Sequence, residues 1–183
     1  MNLGETTVLD GIDRQLLNEL QQDSKRSLKE IGVSVGLSAP SVLERVRKLE
    51  SAGIIKGYHA LVDARKVGLD IAAFIGVSIT TPKELAEFEQ WVESVAQVLE
   101  CHHVTGGHTL LLKVKTRNTK DLEGLISRIR SMEGVATTET MVVLSTHTER
   151  AAVALPAEDS NGEPRRRKRQ RRKGDTPEPA QAP

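Results

Sequence analysis

Eight cations occupy nine consecutive positions near the end of the sequence: Arg165, Arg166, Arg167, Lys168, Arg169, Arg171, Arg172 and Lys173. Cations this closely spaced neutralise phosphates, so the run predicts non-specific contact with a polyanion. A solubilising tail is the alternative. A sparser basic group belongs to a patterned stretch, Ser38, Ala39, Pro40, Ser41, Glu44, Arg45, Arg47 and Lys48. Between these residues Val42, Val46 and Leu49 recur at i, i+4 and i+7, one apolar stripe of a helix. Pro40, Ser41, Glu44, Arg47 and Lys48 point away from the stripe, and Arg45 lies at its edge. A short helix packed on one side, small and basic on the other, fits the major groove of DNA. The plain alternative is a solvated amphipathic helix.

Two further groups could do chemistry. Glu100, Cys101, His102, His103 and His108 are metal-ligand types. Neighbours on a strand point to opposite faces, so this spacing predicts no metal site. Thr105, Gly106, Gly107, His108 and Thr109 form a turn whose bare glycine amides could hold a carboxylate. Local sequence alone favours a plain hairpin turn there. Asp10 and Asp13 resemble a catalytic carboxylate pair, yet they sit where a helix start needs capping and negative charge. No nucleophile elbow, phosphate loop or dinucleotide fingerprint occurs, so no enzyme is predicted.

The elements that must position these residues are legible from caps and periods. Asp10 caps a helix over 11–22, with Ile12, Leu16, Leu17 and Leu20 inward. Ser27 and Glu30 make a capping box for a second short helix, with Leu28, Ile31 and Val35 inward. Gly36 turns the chain into the Ser38 cap of the third helix, which Gly53 stops. Two short helices across a glycine turn are a helix-turn-helix arrangement. A strand expected over 54–61 would make it a winged one. Residues 62–70 are a connector. Then follow a strand over 71–79, a helix from Thr81 and Pro82 to about Ala96, and strands over 98–104 and 109–115. A helix over 119–132 and a strand over 135–146 complete the pattern. The order βαββαβ predicts a ferredoxin-like domain, and the whole chain an α+β protein. One face of such a sheet stays uncovered by its two helices, so a dimer formed through it is expected.

Composition agrees with two small domains and an appendage. The 183 residues are 38% hydrophobic and 28% charged, with only 2% aromatic, so the cores must be aliphatic. The net charge of +1 is uneven: residues 1–150 hold 18 Lys+Arg and 20 Asp+Glu, while 151–183 hold 8 and 5. Any attraction to DNA must come from local patches and the tail. The tail, 151–183, is interrupted by prolines and expected to be disordered, as is the terminus over 1–8. A single cysteine, Cys101, fits a reducing compartment, and no apolar run is long enough to span a bilayer. A cytoplasmic, nucleoid-associated location is expected.

The pattern Leu9-Asp10-x-x-Asp13, Leu37-Ser38, Arg45-Val46-x-x-Leu49-Glu50-x-x-Gly53-Ile54-Ile55-x-x-Tyr58 resembles the leucine-responsive and asparagine regulators of bacteria and archaea (Lrp/AsnC). The resemblance implies a transcriptional regulator that binds double-stranded DNA and dimerises through its second domain. It also implies assembly into tetramers or octamers. In that family the turn at Gly106 resembles an effector-binding loop between dimers that takes a free amino acid. Thr138 and Thr140 would be further ligand contacts. The family commonly has an acidic residue three positions after this glycine, where this chain has Thr109. The resemblance says nothing about 151–183. A DNA-organising protein of weak sequence specificity, aided by that tail, is the second functional expectation.

Overall fold

The computed structural model describes residues 9–156; the basic run and the first eight residues, and the expectations made for them, lie outside these. The described residues divide into two units, 9–57 with 152–156, and 58–151. No helix among them is long and apolar enough to cross a membrane.

The first unit is built from three helices, α1 (Gly11–Gln22), α2 (Leu28–Val35) and α3 (Ala39–Ser51). Each starts where a side chain satisfies orphan backbone amides. Asp10 and Asp13 form a capping box on α1, and Ser27 and Glu30 form one on α2. Ser38 accepts the Ser41 amide at 3.3 Å to start α3, with Pro40 in the first turn. Gly36 closes α2 in the left-handed conformation, φ 71°, which an L side chain would strain. Leu16, Leu17, Ile31, Val35, Val42, Val46 and Leu49 form the buried core. Burying each such aliphatic side chain stabilises the unit by about 1.5–3 kcal/mol, so the stripe of α3 is its main anchor.

Two tighter constraints fix α3. At Gly32 a Cβ would lie 2.5 Å from the Leu37 carbonyl oxygen, so only glycine lets α2 approach the turn this closely. Arg45 of α3 donates from Nη1 to Asp10 Oδ2 and Asp13 Oδ1, both at 2.7 Å. The two carboxylates thus cap α1 and clamp it to α3. The Asp13 backbone N–H first, then the Arg45 guanidinium, hold the Asp10 carboxyl below its ordinary value.

The strand expected over 54–61 is not formed. Ile54 and Ile55 turn back on α3, donating to the Leu49 carbonyl at 2.9 and 3.2 Å. A strand needs a neighbour for its backbone groups, and this all-helical unit provides none. The tail also differs from its expectation over its first residues: 152–156 belong to this unit, and Leu155 packs on its core.

The second unit carries β1 (Ile71–Ile79), α4 (Pro82–Glu93), β2 (Val98–His103), β3 (Leu110–Thr116), α5 (Thr119–Arg130) and β4 (Val135–Val142). The sheet order is β2-β3-β1-β4, antiparallel throughout. Alternation sends Ala73, Ile75, Val77, Leu110, Leu112 and Val114 into a core with Phe88, Val92, Leu122, Leu125 and Ile129 of the helices. The helix expected to reach Ala96 ends at Glu93, with Ser94 as its cap, although Val95 remains buried. The last strand ends at Val142 rather than 146; its last paired residue stands opposite Ala73. No α-helix or strand of this unit covers the other sheet face, which presents Ala72, Phe74, Leu111 and Met141; the connector at 62–65 and residues 143–149 border it. On that face Lys113 pairs with Glu100 at 3.0 Å and Glu149 at 2.7 Å.

These constraints give two expected outcomes. Gly32→Ala should destabilise the first unit by about 1–3 kcal/mol, because the methyl meets backbone rather than a side chain that can swing aside. Thermal unfolding reads this, and an unchanged midpoint would show that the turn has slack. Arg45→Met should lower stability at neutral pH. Asp10 has a depressed folded-state value, so its contribution is present above its unfolded value near 3.8 and fades as pH falls below it. Denaturant curves of the wild type and the variant should therefore converge under acid; a gap independent of pH would mean that Arg45 acts by packing alone.

Candidate nucleic-acid interface and ligand turn

The capped start of α3 and its outer face gather most of the expected DNA-facing residues on one surface. Ser38, Pro40, Glu44, Arg47 and Lys48 are exposed, and Ala39 and Ser41 are half-buried. Ser38 and Ser41 share a hydroxyl hydrogen bond of 2.8 Å, so both hydroxyls are fixed at the helix entrance. Arg47 and Lys48 make no ion pair among the described residues and leave two cations free on this face. Arg45 is different: its side chain is 32% exposed, and its charge is matched by the two carboxylates. The capped N-terminus adds the positive end of the helix dipole to the same surface.

In the second unit the turn over 104–109 is fixed from β1. Thr109 donates its amide to the Val77 carbonyl at 2.9 Å, and its hydroxyl accepts the Ile79 amide at 3.0 Å. This second bond serves the irregularity in β1 between Ser78 and Ile79, so Thr109 is engaged in holding the strand end. Gly106 sits at φ 118°, a conformation that favours glycine, and nothing lies within 4 Å of a Cβ at Gly106 or Gly107. Ser78 donates to the Gly107 carbonyl at 3.1 Å. His108 folds back over Gly76, where a Cβ would stand 2.4 Å from the imidazole. From there its Nε2 meets Glu139 Oε2 at 2.9 Å and its Nδ1 faces the Ser78 hydroxyl at 3.3 Å.

The expected ligand residues do not form one cluster. Thr138 and Thr140 lie opposite Val77 and Ile75 in the ladder, on the face covered by the helices. His108 and Glu139 lie on the other face, over Gly76. Thr138 accepts from Arg130 Nε at 2.8 Å, whereas the buried Thr140 hydroxyl has no hydrogen-bond partner. Glu139 and Arg130 were not legible as site residues. The first is 31 positions from His108, and only the strand order brings them together.

The residues considered for metal are divided by β2. Glu100 and His102 meet on the uncovered face at 3.1 Å, while Cys101 packs on the core. Burial first, then Glu89, pushes the Cys101 thiol up, away from its reactive form.

The AsnC-type helix-turn-helix domain matches residues 9–50, and the Lrp/AsnC ligand binding domain matches residues 72–153. An HTH-type transcriptional regulator FL11 from Pyrococcus horikoshii is 35% identical over 141 residues, 77% of this chain and 93% of the relative. The HTH-type transcriptional regulator LrpA of Mycobacterium tuberculosis is 33% identical over 142 residues, 78% of this chain and 95% of that one. Among solved structures, a Neisseria meningitidis transcriptional regulator in complex with L-Met superposes with a TM-score of 0.77 at 28% identity. That match covers 80% of this chain and 97% of the other. Helices, sheet order and both matched domains agree: the chain belongs to the Lrp/AsnC family of transcriptional regulators.

Proposed function

We propose that the chain is a sequence-specific regulator whose α3 enters the major groove of double-stranded DNA. In this reading Ser41, Glu44, Arg47 and Lys48 reach base edges, and Ser38, Ala39 and Pro40 meet phosphate at the helix entrance. Arg45 acts through Asp10 and Asp13 as a positioning residue. The observation that carries the reading is the free, exposed pair Arg47 and Lys48 on a helix capped at Ser38 and buried along its opposite stripe. A dimer joined across the uncovered sheet face would present two such helices about a two-fold axis, and larger assemblies of dimers belong to the same reading. Half-sites would then lie about 34–36 Å apart, or at multiples of this. The site of action is the nucleoid.

The effector is a free amino acid held at the turn, in line with the L-Met complex of the Neisseria meningitidis relative. The amides of Gly106 and Gly107 suit its carboxylate, with Thr105 and His108 beside them. The turn lacks an acidic side chain for the ammonium, because position 109 is threonine. Glu139, held by His108 at 2.9 Å, supplies that charge from β4. Thr138 and Thr140 back the same strand from its other face. A second reading, a DNA-organising protein of weak specificity, is favoured by the eight cations of 165–173.

Arg47→Ala should weaken binding to the specific site by about 1–3 kcal/mol and barely change binding to random duplex at the same salt. Equal losses would make Arg47 a phosphate contact, and equal wild-type affinity for both duplexes would favour the organising role. A thermal-shift screen of the common amino acids should identify one that raises the melting temperature, and Glu139→Gln should weaken it about tenfold or more. An unchanged response in that variant would remove Glu139 from the site.

A further inference from the structure

The chain passes between its units twice, once near residue 58 and again near residue 152. Within the second unit both leads border one cavity of about 730 Å³ on the uncovered sheet face, where 62–65 and 143–149 line it with Ala72, Phe74, Lys113 and Lys115. The later lead is fastened there: Glu149 pairs with Lys113 at 2.7 Å and with Lys115 at 3.8 Å, both on β3. Only Arg150, Ala151 and Ala152 separate Glu149 from Val153, where the chain is fastened again, within the first unit. The Gln21 side-chain amide accepts the Val153 N–H at 2.8 Å and donates to its carbonyl at 3.2 Å. Arg14, also on α1, donates to the Pro156 carbonyl at 2.5 Å. Between these polar holds Leu155 packs against the core of the unit.

We infer that residues 149–156 are a strap anchored at both ends, through which the state of the uncovered sheet face is passed to the first unit. The chain from Glu149 to Val153 spans at most about 14 Å, so with Glu149 held, 153–156 search little space before docking on α1. Freeing Glu149 enlarges that space and weakens the docking without touching any residue of the first unit. The hold on α1 bears on α3, because Arg14 follows Asp13, which with Asp10 clamps Arg45. A second copy covering the sheet face would meet Lys113, and any change it makes to the Lys113–Glu149 pair shifts the docking equilibrium of the strap. As a regulator of DNA binding the strap rests on the readings that α3 meets duplex DNA and that the face pairs with a second copy.

Amide hydrogen exchange of the full chain, without DNA, tests this with the Val153 amide as reporter. That amide should be protected in the unaltered protein. Leu155→Asp should remove the protection while the amides of α1, α2 and α3 stay protected, and the milder Leu155→Ala should lower it. Glu149→Gln should lower Val153 protection about two- to fivefold, the effect of an exposed ion pair passed along the tether. Lys113→Met should act in the same direction, and Lys113→Arg should keep the protection. Lys83→Met, which removes an ion pair of α4 outside the strap, should change nothing at Val153. An unprotected Val153 amide in the unaltered chain overturns the strap. Native protection in both Glu149→Gln and Lys113→Met overturns the transmission, since the two anchors would then be independent and 152–156 would only complete the first unit. An equal loss in Lys83→Met overturns it too, because Val153 would then report general destabilisation. A protein that passes these tests yet binds no duplex keeps the strap and loses the DNA-binding reading.

Discussion

A helix of 13 residues does not hold its own direction in water. The first unit is organised around that constraint, because a helix proposed to read a groove needs outer side chains that keep a fixed direction. α3 is held in three ways. Its stripe of Val42, Val46 and Leu49 is buried in an aliphatic core. Its entrance is fixed by Ser38 and by the close approach at Gly32. Its middle is clamped through Arg45 to the start of α1. The clamp lies on the part-exposed side, where an isolated ion pair contributes little. Two carboxylates already fixed as a capping box make it a network whose geometry is set beforehand.

The second unit applies the same economy to its sheet. One turn residue, His108, crosses over a glycine of β1 and joins the turn to a carboxylate on β4. Gly76 is what permits this, since a side chain there would occupy the position of the imidazole. A ligand at this turn would act on whichever arrangement of His108 and Glu139 it binds better. Only such differential binding can alter DNA affinity elsewhere in the protein. The uncovered face of the sheet mixes apolar Phe74, Leu111 and Met141 with the Lys113 ion pairs, a combination that suits the proposed pairing with a second copy.

What was legible in the sequence was local. Asp10, Ser27, Ser38 and Thr81 each cap the helix that follows, because capping depends on a side chain and amides three residues away. The alternating strands and the stripes of α1, α3 and α5 were legible for the same reason. The contacts that escaped link distant positions: Arg45 with Asp10, 35 apart; His108 with Glu139, 31 apart; Gln21 with Val153, 132 apart. No periodicity reports such pairs. The strand expected over 54–61 failed for a related cause, since alternation shows that a segment could be a strand but not whether it has a neighbour. The candidate ligand set was split by the pleat: Thr138 and Thr140 share a strand with Glu139 but face the other way.

In the proposed complex α3 occupies the major groove of a two-fold site. Guanine-N7 methylation interference on the bound operator tests it most directly, because N7 lies in the major groove, beyond the reach of a protein that holds only the backbone. Interference should fall in two clusters whose centres are about one helical turn, or a whole multiple of it, apart. Binding that is indifferent to N7 methylation across the whole site would contradict it.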